Sequence, residues 1–261
     1  MPITSPVSFP RLTAAEMREI DYEVMKHAFD IHRELGRLCD ERIYQADLAA
    51  RLRQARREMQ VCVSFQSFSK SYELDLVVAD RVIYELKSVE ALTPGHDAQL
   101  LNHLLLTNST RGKLLNFRGA SVDSRFINTS LDHSERRRFT VHTDRWSGGD
   151  DLHDLTISIL EDWGTGLETS LYLQAIVQLS GGGDGVPQQV DMQRNGLMLG
   201  NQRFHLMGPQ SCVFVTTLAS DRSASHEAHL RLLLNHSPLS RAHWINIDLH
   251  EIHFVTLVAK P

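Results

Sequence analysis

The stretch that decides the fold runs from Arg81 to Leu101 and reads RVIYELKSVEALTPGHDAQLL. Val82, Ile83, Tyr84, Leu86 and Val89 give its first half the composition of a buried β-strand, yet Glu85 and Lys87 stand in the middle of it. Two residues apart on a strand, their side chains share one face. Thr93-Pro94-Gly95 then opens a helix predicted over 96–106. An acid and a base fixed on one face of a buried strand either pair with each other or serve a site.

Working outward, residues 13–35 read as a helix. Ile20, Val24, Ala28, Ile31 and Leu35 recur at three and four, and Thr13 with Glu16 fits a capping box. A second helix is predicted from Asp40 to Arg57, lined by Ile43, Ala46, Leu48 and Leu52. The period then changes to strands over 61–65, 72–79 and 81–89, followed by the 96–106 helix and strands over 113–117 and 125–129. The order α-α-β-β-β-α-β, with 125–129 as a further short strand, makes residues 1–132 a mixed α/β domain. Residues 133–150 are polar, end in Gly148-Gly149-Asp150, and read as a linker. Within them Arg136–Arg138 reads as a solvated run, with phosphate contact as the alternative.

Residues 151–261 restart the pattern: helices over 151–164 and 167–179, a glycine-rich loop over 181–187, strands over 190–193, 203–207 and 212–218, a helix over 225–236, and strands over 244–249 and 253–259. Laid without gaps, residues 96–116 and 226–246 share six of 21 positions, including His96/His226, Arg111/Arg241 and Asn116/Asn246. About one or two identities would be expected from background composition. Gly36 and Tyr44 have the spacing of Gly164 and Tyr172. With one small indel, Glu85 falls opposite Thr216, Lys87 opposite Leu218, Gln99 opposite His229, and Asp75 near Leu206. The chain reads as an internal duplication whose second copy keeps the fold pattern and loses the polar residues. Trp163, Trp244 and Phe254 are expected in the core of that second half.

The bulk numbers set limits. An apolar content of 42% and a charged content of 23% are those of a globular protein, and no run approaches the ~18 apolar residues of a membrane span. The start, MPITSPVSFPRL, lacks the charged and apolar regions of a secretory signal. Cys39, Cys62 and Cys212 are far apart, which argues against a disulfide framework or a zinc ribbon and for a reducing, cytoplasmic setting. The 14 histidines contain no H-E-x-x-H, and a net charge of −5 argues against indiscriminate coating of DNA.

The residues able to carry chemistry are Glu41 on the second helix, Asp75, Glu85 and Lys87 on adjacent strands, and Gln99 on the 96–106 helix. A hairpin across Ala79-Asp80-Arg81 would bring Asp75 close to Glu85. Converging carboxylates repel, and a hard divalent cation relieves them; oxygen ligands select Mg²⁺ or Mn²⁺. Asp75, Glu85, Glu41 and the Leu86 carbonyl are the candidate ligands. Lys87 is placed to assist an attacking water, and Gln99 to orient substrate or Lys87. His96 recurs in the copy without a site, so a helix-start role is expected of it. Tyr44 recurs as Tyr172, so packing is expected.

Residues 12–129 resemble the GxxExxY protein family, a branch of the PD-(D/E)XK nuclease-like superfamily. IHRELG (31–36), ERIY (41–44), ELDLVV (73–78), YELKSVEALTPGHDAQLLNHL (84–104) and KLLNF (113–117) carry the resemblance. It implies a restriction-endonuclease-like core with Asp75, Glu85 and Lys87 as its central triad. Glu41 and Tyr44 match the Glu and Tyr of the family motif, and Gln99 matches a helix glutamine of related nucleases. The motif's Gly falls at Leu38, a turn position, and His103 stands where Tyr is common. The expected architecture is two tandem restriction-endonuclease-like modules, the second degenerate, in an arrangement that would allow a pseudo-dimer within the chain. The expected activity is metal-dependent hydrolysis of a nucleic-acid phosphodiester, in DNA or RNA. The alternatives are a non-catalytic binding or scaffold protein with a relic site, and an enzyme acting on a small phosphate ester.

Overall fold

The structure, a computed structural model, describes residues 3–10, 12–181 and 186–259. The chain divides into two compact units, Met1–Ser64 with Ser69–Asp132, and Phe65–Phe68 with His133–Pro261. Among the described residues each unit builds one six-stranded sheet flanked by helices. None of the described helices is long and apolar enough to cross a membrane.

The first unit runs β1 (Ile3–Thr4), α1 (Ala14–Leu35), α2 (Glu41–Arg51), β2 (Ala55–Phe65), β3 (Phe68–Val78), β4 (Val82–Lys87), α3 (Pro94–Thr107), β5 (Arg111–Asn116) and β6 (Asp123–Asn128), with sheet order β1-β2-β3-β4-β5-β6. The capping box at α1 forms: Thr13 Oγ1 accepts the Glu16 N–H and the Glu16 carboxylate accepts the Thr13 N–H. Buried Met17, Val24, Ala28 and Ile31 line the face of α1 that joins Tyr84, Leu86 and Leu115 in the core. The predicted 40–57 helix stops at Arg51. Met59, Val61 and Val63 alternate into the core, and a strand buries that alternation where a helix would scatter it.

β3 and β4 pair antiparallel, Val78 with Val82 through Leu76 with Tyr84. The tight turn between them holds Ala79 and Asp80 at positive φ, the hand that suits a twisted hairpin. β4 then pairs in parallel with β5, the crossover being α3. α3 lies close on the sheet because residue 112 is glycine: a Cβ there would meet the Ile83 carbonyl at 2.9 Å and Leu100 at 3.0 Å. His96 caps the helix start, its Nδ1 accepting the Thr93 N–H at 3.0 Å.

The second unit runs α4 (His133–Arg136), β7 (Thr140–Arg145), α5 (Asp150–Trp163), α6 (Thr169–Leu179), β8 (Gln188–Arg194), β9 (Leu197–Gly208), β10 (Ser211–Thr216), α7 (Ser220–Asn235), β11 (Arg241–Asp248) and β12 (Glu251–Val258). Its sheet order, β8-β9-β10-β11-β12-β7, repeats β2 to β6 strand for strand and adds an edge. β10/β11 is parallel and β9/β10 and β11/β12 are antiparallel, as in the first unit. Residues 182–185 of the loop expected over 181–187 lie outside the described residues. Trp163, Trp244 and Phe254 are buried as expected.

Two local devices recur. The Tyr44 hydroxyl donates to Gly36 O at 2.9 Å and accepts the Cys39 N–H at 3.0 Å; the Tyr172 hydroxyl donates to Gly164 O at 2.6 Å and accepts the Leu167 N–H at 3.1 Å. Both glycines end a helix at positive φ. Asn116 clips both backbone groups of Val89, and Asn246 clips both of Leu218.

The expected linker is corrected. Residues 133–150 contain α4, β7 and the first residue of α5, and β7 pairs in parallel with β12. Arg136 is buried rather than solvated: Nε donates to Thr165 O at 2.6 Å and Nη2 to Trp163 O at 2.9 Å. Its guanidinium satisfies carbonyls at the end of α5. An edge strand carries polar residues on its open face, so composition alone reads it as a loop.

Candidate active site

The acidic end of β4 is the centre of the first unit's polar cluster. Tyr84 and Leu86 point to one side of the sheet, into the apolar core, which turns Glu85 and Lys87 to the other. α3 brings Gln99 and His103, one turn apart, over that face. Glu85 is fully buried. Its Oε1 accepts Lys87 Nζ at 2.8 Å and Gln99 Nε2 at 2.5 Å, and its Oε2 accepts His103 Nδ1–H at 3.2 Å.

Asp75 comes from β3, one residue beyond the last ladder pair. Its Oδ2 accepts the Leu86 N–H at 2.8 Å, and its carbonyl accepts Gln45 Nε2 at 2.5 Å, which ties its backbone to α2. Glu41, the first residue of α2, completes the set. Lys87 Nζ stands 2.8 Å from Glu85 Oε1, 3.7 Å from Asp75 Oδ2 and 3.9 Å from Glu41 Oε1. The structure therefore brings Asp75, Glu85, Lys87, Glu41 and Gln99 together.

Three carboxylates around one ammonium leave unbalanced negative charge, and the protonation equilibria register it. Burial, and after it the charge of Glu85, pushes the Asp75 carboxyl up to about 7. Burial also raises Glu41. For Glu85 burial acts upward too, but the His103 and Lys87 contacts outweigh it and hold the carboxyl low. Burial works against the Lys87 ammonium, and the surrounding acids outweigh it and raise its pKa. The donors are hard oxygens with a deficit of positive charge, which a hard divalent cation would relieve.

The structure also fixes what faces these positions in the second unit. Lys87 pairs with Asn116 and Thr216 with Asn246, and the two asparagines make the same clip. Thr216 thus takes the place of Lys87, and Phe214 that of Glu85. Continuing the β9/β10 register places Phe204 where Asp75 stands. The sequence alignment, which set Thr216 against Glu85 and Leu218 against Lys87, is displaced by two residues, because the connections from β4 to α3 and from β10 to α7 differ in length. A two-residue slip keeps every side chain on its face. Where the first unit has two acids, the second has Phe204 and Phe214 in edge-to-face contact at 6.2 Å.

With this geometry, comparison with known proteins becomes informative. Residues 18–127 match the PD-(D/E)XK nuclease superfamily. The matched segment spans Glu41, Asp75, Glu85, Lys87 and Gln99, and the two mixed six-stranded sheets flanked by helices are consistent with two tandem restriction-endonuclease-like modules. A solved chain described as "Crystal structure of SSO0001" is similar at 16% identity over 46% of this chain, with a TM-score of 0.27. The match spans 61% of that solved chain's length. Among curated proteins no match is found.

Two members of the cluster, His103 and Gln45, are not among the residues that the sequence singles out. His103 lies one turn beyond Gln99 on a helix already assigned to the site, and that spacing was the available signal. Nothing in the sequence marks Gln45, whose amide reaches a backbone carbonyl.

Proposed function

We propose that the chain is a metal-dependent nuclease in which the first unit hydrolyses nucleic-acid phosphodiester bonds. The observation that carries this reading is the gathering of three carboxylates within 3.9 Å of one buried ammonium, inside a segment that matches a nuclease superfamily. Asp75 and Glu85, with Glu41 and the Leu86 carbonyl, would hold Mg²⁺ or Mn²⁺. When bound, the ion would lower the pKa of a coordinated water and offset charge on the phosphate. Lys87 would orient the attacking water and stabilise charge on the phosphoryl oxygens. Gln99 and His103 keep Glu85 in one orientation, so its carboxylate need not reorganise during reaction.

The second unit is a duplicate whose site was replaced by packing: the recurring Tyr–Gly and Asn clips support the common origin, and Phe204 and Phe214 fill the place of the acids. The cysteines form no disulfide, in keeping with a cytoplasmic enzyme.

One observation favours a second reading, a binding or scaffold protein with a relic site. Both oxygens of Glu85 are already held by protein donors. Incubation of the purified chain with DNA, RNA and a chromogenic phosphodiester in Mg²⁺ or Mn²⁺ separates the readings. Cleavage of a nucleic acid, lost in Asp75→Asn, is the expected result. Cleavage of the small diester alone would move the substrate class. Tight nucleic-acid binding with no turnover in either metal would support the relic.

A further inference from the structure

We propose that His142, Glu251 and His253, in the second unit, form a divalent-cation site of the zinc class. β7 and β12 run in parallel with His142 directly opposite His253. Glu251 precedes His253 by two residues on its strand and so shares its face. The two imidazoles stack at 4.4 Å with an interplanar angle of 10°, and His142 Nε2 lies 2.5 Å from Glu251 Oε2. One donor atom from each residue lies within 4.8 Å of the other two.

Two imidazoles and a carboxylate are a borderline nitrogen and oxygen set. It suits Zn²⁺, with the fourth tetrahedral position left to water. The proposed ligands of the β3–β4 cluster are all oxygens and would favour a harder ion, so the two sites differ in chemistry as well as place. At metal–donor distances of about 2.0–2.1 Å a tetrahedral ion holds its ligands about 3.4 Å apart. The three donors, within 4.8 Å of one another, stand near that spacing, and an ion would draw them closer. The His142 and Glu251 side chains are 39% and 50% exposed, so an ion reaches them from solvent. Once bound, it would cross-link edge strand β7 to β12.

The test is equilibrium dialysis of the full chain against Zn²⁺ with excess Mg²⁺ present, and circular dichroism as the check on folding. One Zn²⁺ per chain is expected for the wild type and for Asp75→Asn. His142→Ala, His253→Ala and Glu251→Ala should each weaken it by more than about 10-fold. Co²⁺ in place of Zn²⁺ should give the visible absorption of a tetrahedral nitrogen and oxygen site, absent in the His142→Ala/His253→Ala double variant. Zn²⁺ binding that survives the double variant, that disappears in Asp75→Asn, or that does not occur at all would overturn the proposal and leave a cross-strand His–Glu bond. Should an alanine variant misfold, His142→Gln carries the same comparison at a site that is already half exposed.

Discussion

The Asp75 carboxylate accepts the Leu86 N–H at 2.8 Å, at the point where the β3–β4 ladder ends. A side chain thus takes the amide that the next backbone carbonyl would have taken. The pairing can end there without leaving the Leu86 N–H unpaired, beside the face on which Glu85 and Lys87 meet. Asn at position 75 can accept the same bond without the charge. Asp75→Asn is therefore expected to fold as the wild type does while losing divalent-ion binding and at least about 100-fold of cleavage. Calorimetric titration with Mn²⁺, beside a cleavage assay, checks both. Undiminished metal affinity in this variant would remove Asp75 from the ligand set.

Asp75 also predicts a pH dependence. Its carboxyl, ordinarily near 3.8, is pushed up to about 7 in the fold, so between about pH 4 and 7 the native state binds more protons than the unfolded chain. Stability from this group is present below pH 4 and falls as pH rises through 7. Metal-free Asp75→Asn should then be more stable than the wild type at pH 8, by roughly 2–4 kcal/mol, and no more stable at pH 4. Urea denaturation at the two pH values reads this directly. Divalent-ion binding near pH 6.5 should release protons, visible as a buffer-dependent heat that vanishes at pH 9.

Lys87 is the one cation among three acids, and its removal has two separable effects. Lys87→Met should abolish detectable cleavage, because it removes the ammonium proposed to orient the water and stabilise charge on the phosphoryl oxygens. It also leaves fully buried Glu85 without its ammonium partner, a change that costs about 3–5 kcal/mol when one member of a buried pair is lost. The loss should be greatest at alkaline pH and shrink as Glu85 takes up a proton. A variant equally stable at pH 5 and pH 9 would argue against that coupling.

His103 predicts a graded effect. It holds Glu85 Oε2 from α3 while Gln99 and Lys87 hold Oε1. His103→Phe keeps the ring volume and removes the donor, so metal affinity should fall about 10–100-fold, as when an outer partner of a ligand is lost. His103→Tyr restores a hydroxyl donor and should recover part of it. Undiminished affinity in His103→Phe would mean that the imidazole acts through packing against Tyr72 alone.

What the sequence carried and what it hid follow from how local each signal is. The α1 capping box, the turn at Ala79–Asp80 and the Glu85-x-Lys87 face depend on neighbours within a few residues, and each appears where it was expected. Asn195-Gly196, the hairpin turn between β8 and β9, is an equally local signal. The rest is nonlocal. Arg136 is buried only because the end of α5 supplies it with carbonyls. β7 is a strand only because β12, more than a hundred residues later, pairs with it. The two-residue alignment slip is invisible to a hydrophobic pattern of period two, and the Asn116 and Asn246 clips resolve it.

Those clips have a counterpart in the two tyrosines, which allow the equivalence of the two local devices to be tested through stability. Tyr44 and Tyr172 each bridge a helix-ending glycine carbonyl and the N–H of a residue in the following turn. Removing either hydroxyl leaves a carbonyl and an amide without that partner, and each loss of this kind costs about 1–3 kcal/mol when the groups are buried. Tyr44→Phe and Tyr172→Phe should therefore destabilise by similar amounts. Each effect should be confined to its own unit, as read by hydrogen exchange of α1–α2 amides in one case and α5–α6 amides in the other. Cleavage should survive Tyr172→Phe unchanged at temperatures where the protein remains folded, because the second unit lacks the acids. A loss of turnover in that variant, with the first unit's exchange pattern intact, would show that the second unit contributes to the reaction and is more than a retained fold.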